Sequence, residues 1–304
     1  KGHFFLCDFR GQEGNSGIRT FALQPKGASF EVVDSKESFW SVLATDCGFG
    51  PDGALYLTDW VEGWNGPGKG RIYQFASPEF QQSGQSAVLK SLFAKDISTL
   101  PIPELVSLLG HAHFKVRLEA QWALAEHGAE GREKLTAAAV EGASTAVRLH
   151  GIWGLGQLAR REGYRVLEPV VKLLEADDPH VRAQLAKVIG EASFENGRGV
   201  WMGAVAHLLP RLAKETDPQV QLEVINALGR VGDPRIIPQL AAQLEQVNDG
   251  DAYLRNSLAV ALSRVALVDE TNSGSAGIGQ IKGLAGHRSV AVRRGAVLAL
   301  RRLK

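Results

Sequence analysis

One recurring position limits what this chain can fold into. An aliphatic residue, usually followed by Arg, is matched by a second aliphatic residue eight positions later. The instances are Val116-Arg117 with Leu124, Val147-Arg148 with Leu155, Val181-Arg182 with Ile189, Val220-Gln221 with Leu228, Leu254-Arg255 with Leu262 and Val292-Arg293 with Leu300. Successive starts lie 31, 34, 39, 34 and 38 residues apart. Intervals of that size suit stacked helix pairs joined by loops of variable length. An offset of eight keeps both aliphatics on one helical face. No single pair can bury that face alone, so neighbours must stack.

The predicted pairs have first helices at 101–110, 131–141, 165–176, 202–215, 234–246 and 276–285. Asp178-Pro179, Asp217-Pro218 and Asp233-Pro234 mark helix starts, with an acidic cap before Pro at the first helical position. The spacing predicts a mainly α chain whose residues 98–304 form a HEAT-type α-solenoid of about six helix pairs. Asp178 lies four before Arg182 and Asp251 four before Arg255. The repeated Arg is therefore expected to form a structural ladder of ion pairs with capping acids, broken at Gln221.

Composition changes sharply before this array. Residues 1–75 hold 13 of the chain's aromatic residues and 76–304 hold 9. Aromatic, β-branched and Gly-rich sequence favours strands, and Ala- and Leu-rich sequence favours helices. Strands are expected at 4–9, 18–24, 29–34, 44–49, 54–60 and 70–75. In the clearest hairpin Pro51 presets a turn, Gly53 supplies positive φ, and Leu55, Leu57 and Asp59 alternate with Tyr56, Thr58 and Trp60. Strand, Pro-Asp-Gly turn, strand, loop, strand is how a propeller blade runs. Residues 1–77 are accordingly read as a partial β-propeller of about two blades, and 78–97 as a linker and lead-in helix. Two blades close no ring. That, a first residue of Lys1, and a last helix with no polar cap lead us to expect a chain cut at both ends.

Charge and motifs exclude several functions. The formal net charge is +1, with 7 Lys/Arg and 9 Asp/Glu up to residue 75 and 27 and 24 beyond it. Nucleic-acid partners are not expected from that balance. The two cysteines, Cys7 and Cys47, form no Cys-x-x-Cys. They read as buried thiols, with a disulfide the alternative in an oxidising compartment. Gly48-Phe49-Gly50-Pro51-Asp52-Gly53 fits a dinucleotide fingerprint by letter, but a strand follows it instead of a helix. Gly154 and Gly156 lie within a predicted helix and are read as packing glycines. His111 and His113 flank an inter-helix loop without carboxylates in metal-ligand spacing, so no metal site is assigned.

Candidate ligand-binding residues cluster at predicted strand ends and loops: His3, Asp8, Arg10, Asn15, Arg19, Asp46, Asp59, Glu62, Lys69 and Arg71. Asp46 and Asp59 equally suit turn or edge positions. Trp60 and Trp64 either cover the ring face or pack on helices.

The runs Gly2-His3-Phe4-Phe5-Leu6-Cys7-Asp8-Phe9-Arg10-Gly11, Gly14-Asn15-Ser16-Gly17-Ile18-Arg19, Gly50-Pro51-Asp52-Gly53-Ala54-Leu55-Tyr56 and Asp59-Trp60 resemble the membrane-bound dehydrogenases of planctomycetes and verrucomicrobia. The stretch 147–158 is similar to their HEAT segment. Such proteins carry a glucose/sorbosone dehydrogenase-like propeller, HEAT repeats and a cytochrome c domain. The resemblance implies a periplasmic or membrane-attached redox protein that oxidises sugars or related alcohols. It implies pyrroloquinoline quinone and Ca²⁺ in the parent propeller and haem c in a separate domain. It makes Arg19, Lys69 and Arg71 candidates for the quinone carboxylates, and His3, Asp8, Asn15 and Asp59 candidates for substrate. The catalytic base would lie on other blades, so this stretch alone is expected to be inactive. The solenoid would position a protein partner or electron-transfer domain. The rival reading is a non-enzymatic protein-interaction scaffold using the HEAT face.

Overall fold

A computed structural model describes residues 2–61, 68–195, 202–272 and 276–303. The chain divides into two compact units, one of residues 1–26 and 30–97, the other of 98–304 with 27–29.

The first unit holds two three-stranded sheets. β1 (His3–Asp8), β2 (Gly17–Lys26) and β3 (Ser29–Trp40) follow one another in the first sheet. β4 (Ala44–Phe49), β5 (Leu55–Asp59) and β6 (Arg71–Phe75) do so in the second. β1 pairs antiparallel with β2, placing Phe5 opposite Thr20. β5 pairs antiparallel with both neighbours, placing Leu57 between Cys47 and Tyr73. The alternation read in β5 is the one observed: Leu55, Leu57 and Asp59 are buried, while Tyr56 and Thr58 are half-buried. Ile18, Val42, Ala44 and Leu57 form the core, packed by Cys7, Phe39, Cys47, Tyr73 and Phe75. Gly53 takes φ +76° and closes the turn by donating its N–H to Gly50 O at 3.0 Å. The described strands make two separate sheets and no closed ring.

The stretch read as linker is folded onto this unit. α1 (Pro78–Gln82) starts at Ser77, whose Oγ accepts the Phe80 N–H at 3.2 Å. A Cβ on Gly53 would collide with the Phe80 ring. In α2 (Gln85–Phe93), Ser86 Oγ donates to Asp52 O at 3.0 Å.

The second unit is an array of six helix pairs among the described residues. They are α3 (Ile102–Leu108) with α4 (Phe114–Glu126), and α5 (Gly128–Glu141) with α6 (Thr145–Glu162). A 3₁₀ helix (Tyr164–Glu175) pairs with α7 (Pro179–Glu195), and α8 (Met202–Lys214) with α9 (Pro218–Val231). Last come α10 (Ile237–Val247) with α11 (Ala252–Asn272), and α12 (Ala276–Leu284) with α13 (Val290–Arg302). Pro169 interrupts the first element of the third pair, where it removes an N–H donor. The second helices α4, α6, α7, α9, α11 and α13 pack in sequence as one layer. Their anchors Val116, Val181, Val220, Leu254 and Val292 are buried, and Val147 is half-buried. Burying each side chain contributes about 2 kcal/mol. A Cβ on Gly154 would strike Leu135 and one on Gly156 would strike Val188, so these two glycines permit close helix approach.

The acidic caps form where expected. Asp217 accepts from the N–H groups of Gln219 and Val220 at 2.9 and 3.1 Å, and Asp178 from His180 at 2.9 Å. The expected Asp–Arg ladder does not form. Arg117 Nη1 donates to the carbonyls of His111 and Ala112 at 2.7 and 3.0 Å. Arg182 repeats this on Ala176 and Asp177 at 2.7 and 2.9 Å, and Arg293 on His287 and Arg288 at the same two distances. Gln221 Nε2 makes the equivalent single bond to Glu215 O at 2.7 Å. The cap carboxylates are already occupied by backbone N–H groups. The repeated side chain instead closes the turn before its own helix, satisfying carbonyls that the first helix leaves open. Arg148 and Arg255 depart from the pattern: Arg148 Nε donates to Ala139 O at 3.2 Å, and Arg255 pairs with Asp249 at 3.3 Å, not Asp251.

Candidate functional site

Strand ends in the sheets bring several candidate residues together. Asp8, at the end of β1, accepts from Arg10 Nε and Nη2 at 2.9 Å and from Arg19 Nε and Nη2 at 3.2 Å. Arg19 also reaches Glu37 at 3.2 Å and lies 5.2 Å from the Trp40 ring centroid. The Arg10 guanidinium holds the Asp8 carboxyl below the usual range against a desolvation penalty, with Arg19 assisting. Asp59 is buried. It accepts the N–H groups of Leu43 and Val61 at 3.1 Å and the Tyr73 hydroxyl at 3.4 Å, and Arg71 Nη1 donates to that hydroxyl at 3.4 Å. These bonds tie the start of β4 to the end of β5.

The other candidates lie apart. His3 Nε2 is 3.9 Å from Asp34 and lines an open cleft of about 560 Å³ with Phe5, Lys36 and Phe49. Asn15 ends a 3₁₀ turn and is exposed, as is Lys69. Asp46 folds back to accept the Cys47 N–H at 2.8 Å. Trp60 stacks on Phe9 at 5.8 Å between centroids. Glu62 and Trp64 lie outside the described residues. Cys7 and Cys47 are free and half-buried. Burial, then the Cys47 thiol, pushes Cys7 up to about 12. A network absent from the sequence reading centres on buried Asp52, which accepts from Ala54 N, Tyr56 Oη and Gln74 Nε2 at 3.1, 2.9 and 2.8 Å.

The solenoid carries a second unforeseen network, across three successive second helices. His150 is buried. Its Nε2 accepts from Arg117 Nε at 3.2 Å and its Nδ1 lies 2.9 Å from Gln121 Oε1. Those partners fix the neutral tautomer with the proton on Nδ1. Burial, then the nearby Arg117 charge, lowers His150 to about 4. Trp153 sets its edge on the His150 ring at 5.0 Å and donates Nε1–H to Gln184 Oε1 at 2.9 Å. The partners lie 29, 33 and 31 residues apart, about one repeat.

Outward from this network the second-helix layer presents two columns at repeat spacing. Six residues after the anchors stand Trp122, Trp153, Lys187, Asn226, Val260 and Leu298; ten after them stand Glu126, Gln157, Glu191, Arg230, Arg264 and Arg302. Every member is exposed or half-buried, with Trp122 at 44% exposure. Toward the N-terminal end the acids are paired: Arg161 Nη1 meets Glu126 at 2.7 Å and Arg160 meets Glu191 at 3.8 Å. Between the layers Glu215 is enclosed, with Arg182 at 2.9 Å and Arg211 at 3.1 Å. Burial raises its affinity for a proton. The Arg182 hydrogen bonds, the Asp217 N–H and Arg211 outweigh that, so the carboxyl titrates below its usual range.

Among the described residues no group of three or more His, Cys, Asp or Glu side chains is placed to hold a metal ion. None of the helices described is long and apolar enough to cross a membrane.

Residues 205–275 match the family model for HEAT repeats. A search of curated proteins finds no match. Solved structures include an engineered protein at 21% identity, covering 69% of this chain and 96% of that chain with a TM-score of 0.43. A designed armadillo repeat protein in complex with the peptide (KR)4 has 16% identity, 67% and 100% coverage, and a TM-score of 0.42. The CpcE–CpcF complex of phycocyanin lyase from Nostoc sp. PCC7120 has 19% identity, 68% and 96% coverage, and a TM-score of 0.35. With the family match, the six stacked pairs and the repeating anchors, the helical region has a HEAT/armadillo-like repeat fold.

Proposed function

We propose that this chain is a protein-interaction scaffold that engages its partner along the second-helix layer of the solenoid. One observation carries this reading. Six second helices stack as a continuous layer, and their outward columns hold accessible aromatic, amide and charged side chains at repeat spacing. Stacked repeats serve extended partners because each adds the same increment of surface. The His150 network supports the reading. It ties α4, α6 and α7 beneath the face through hydrogen bonds, so Trp153 is held in one rotamer before a partner arrives.

The test is co-purification of the tagged full chain from its own cells, with quantitative mass spectrometry. Trp122→Ala with Lys187→Glu and Val260→Glu changes the outward columns. Lys172→Glu with Gln239→Glu changes the first-helix layer. The scaffold reading expects a defined set of proteins lost from the first variant and retained by the second. Equal retention by both variants counts against it.

A redox reading remains for the sheets. Two consecutive antiparallel three-stranded sheets, with β1 lying beside β4, are arranged as neighbouring propeller blades would be. On that reading the full gene product would oxidise sugars or related alcohols when supplied with pyrroloquinoline quinone and Ca²⁺. Lack of dye reduction under those conditions would remove it.

A further inference from the structure

We infer that the C-terminal end of the second-helix layer is a docking row for an acidic, extended polypeptide segment, built from Arg230, Arg264 and Arg302. This deepens the scaffold reading and rests on it. The three arginines occupy the same position in three successive repeats, ten residues after Val220, Leu254 and Val292. They are close enough to act on one another. Arg264 lies between the other two, and its own desolvation, then their charges, disfavour its protonated form. Like charges gathered on a folded surface destabilise it unless something else compensates.

Several other arginines of the solenoid are paired with acids. Arg160, Arg161, Arg182 and Arg211 each have a carboxylate within 3.8 Å. Arg230, Arg264 and Arg302 form no ion pair with a described residue. Glu223 lies near enough for its charge to act with that of Arg230, while burial raises the pKa of that acid. A guanidinium without an ion pair gains by meeting a carboxylate, which can accept two of its N–H groups at once.

Geometry narrows the occupant. Packed helices lie about 8–10 Å apart. A peptide in the polyproline II form rises about 3.1 Å per residue and turns once in three residues, so every third side chain faces the same way. A peptide crossing the layer therefore presents every third residue to successive arginines, so the row fits Asp or Glu spaced three apart. Nucleic acid fits less well, because the whole chain carries a net charge of only +1.

The test is fluorescence anisotropy with the full chain and labelled 12-residue peptides. One peptide has Glu at every third position, and a second has Gln there. A 12-nucleotide single-stranded RNA is the third probe. The Glu peptide is expected to bind at least tenfold tighter than the Gln peptide. Arg264→Gln should weaken it about fivefold, and the triple Gln variant should abolish the difference. Arg264→Lys should keep part of the affinity, which separates charge from folding defects, and Lys172→Gln should change nothing. Equal binding of Glu and Gln peptides overturns the inference, as does Glu-peptide binding that survives the triple variant. Tighter, arginine-dependent binding of RNA also overturns it. If co-purifying proteins still depend on Trp122 and Val260 while the arginine variants change nothing, the docking row fails and the scaffold stands.

Discussion

The sheets and the solenoid differ in how far some of their buried charges reach along the chain. In the sheets the acids are satisfied locally. Asp8 is held by residues 2 and 11 positions away, and Asp59 by backbone N–H groups at most 16 away. In the solenoid some buried polar groups find partners about one repeat away, as Arg182 does with Glu215 and His150 with Arg117, while others, such as Asp233 with Arg235, stay local. This decides what each group can report. A strand-end ion pair reports on its own sheet. An inter-repeat pair reports on whether neighbouring repeats are stacked.

Breaking Arg182 should give the largest effect. Arg182→Ala leaves Glu215 buried with Arg211 and the N–H groups of Thr216 and Asp217, and should cost about 3–4 kcal/mol in urea denaturation. A cost below about 1 kcal/mol would mean that the solenoid's buried pairs behave like surface ones. The His150 site should come next. Its folded value of about 4 lies below the ordinary 6.5, so it favours the folded state fully above pH 6.5. That stability is lost as pH falls from about 6.5 to about 4, because only the unfolded chain takes up the proton in that window. The loss should reach up to about 3 kcal/mol. Replacing His150 with Gln should flatten this part of the stability–pH profile. Removing the Asp217 cap with Asp217→Ala should cost about 1 kcal/mol. The smallest effect belongs to the sheets. Arg19→Ala should change stability by less than about 1 kcal/mol, because Arg10 keeps Asp8 paired and the cluster is solvated. A larger loss there would erase the contrast between the units.

Much of this organisation is legible in the chain, for reasons that can be located. The six anchors place the second helices because burial enforces their spacing. The Leu55-Leu57-Asp59 alternation places β5 because one of its faces is covered. β3 runs to Trp40, six residues past its expected end, because residues 34–38 are polar and exposed, so they show no alternation. Residues 78–93 resemble a linker because their tie to the first unit is made by Phe80 against Gly53 and by Ser86 on a distant carbonyl. The Arg after each anchor is structural, as expected, but its partner differs. Counting four residues back finds a carboxylate, yet the capping geometry already occupies it. The His150 network is hidden because its members lie a repeat apart. Aligning the positions three and six after each anchor, where His150, Gln184, Trp122 and Trp153 fall, exposes it.

The scaffold account is tested most directly by site-specific photo-cross-linking in the cells that make this protein. A benzophenone side chain is placed at Trp122, Lys187 or Val260 on the second-helix layer, or at Lys172 or Gln239 on the first-helix layer. The account predicts discrete adducts from the first three positions and none from the last two. Adducts confined to Lys172 and Gln239, or equal from all five, would contradict it.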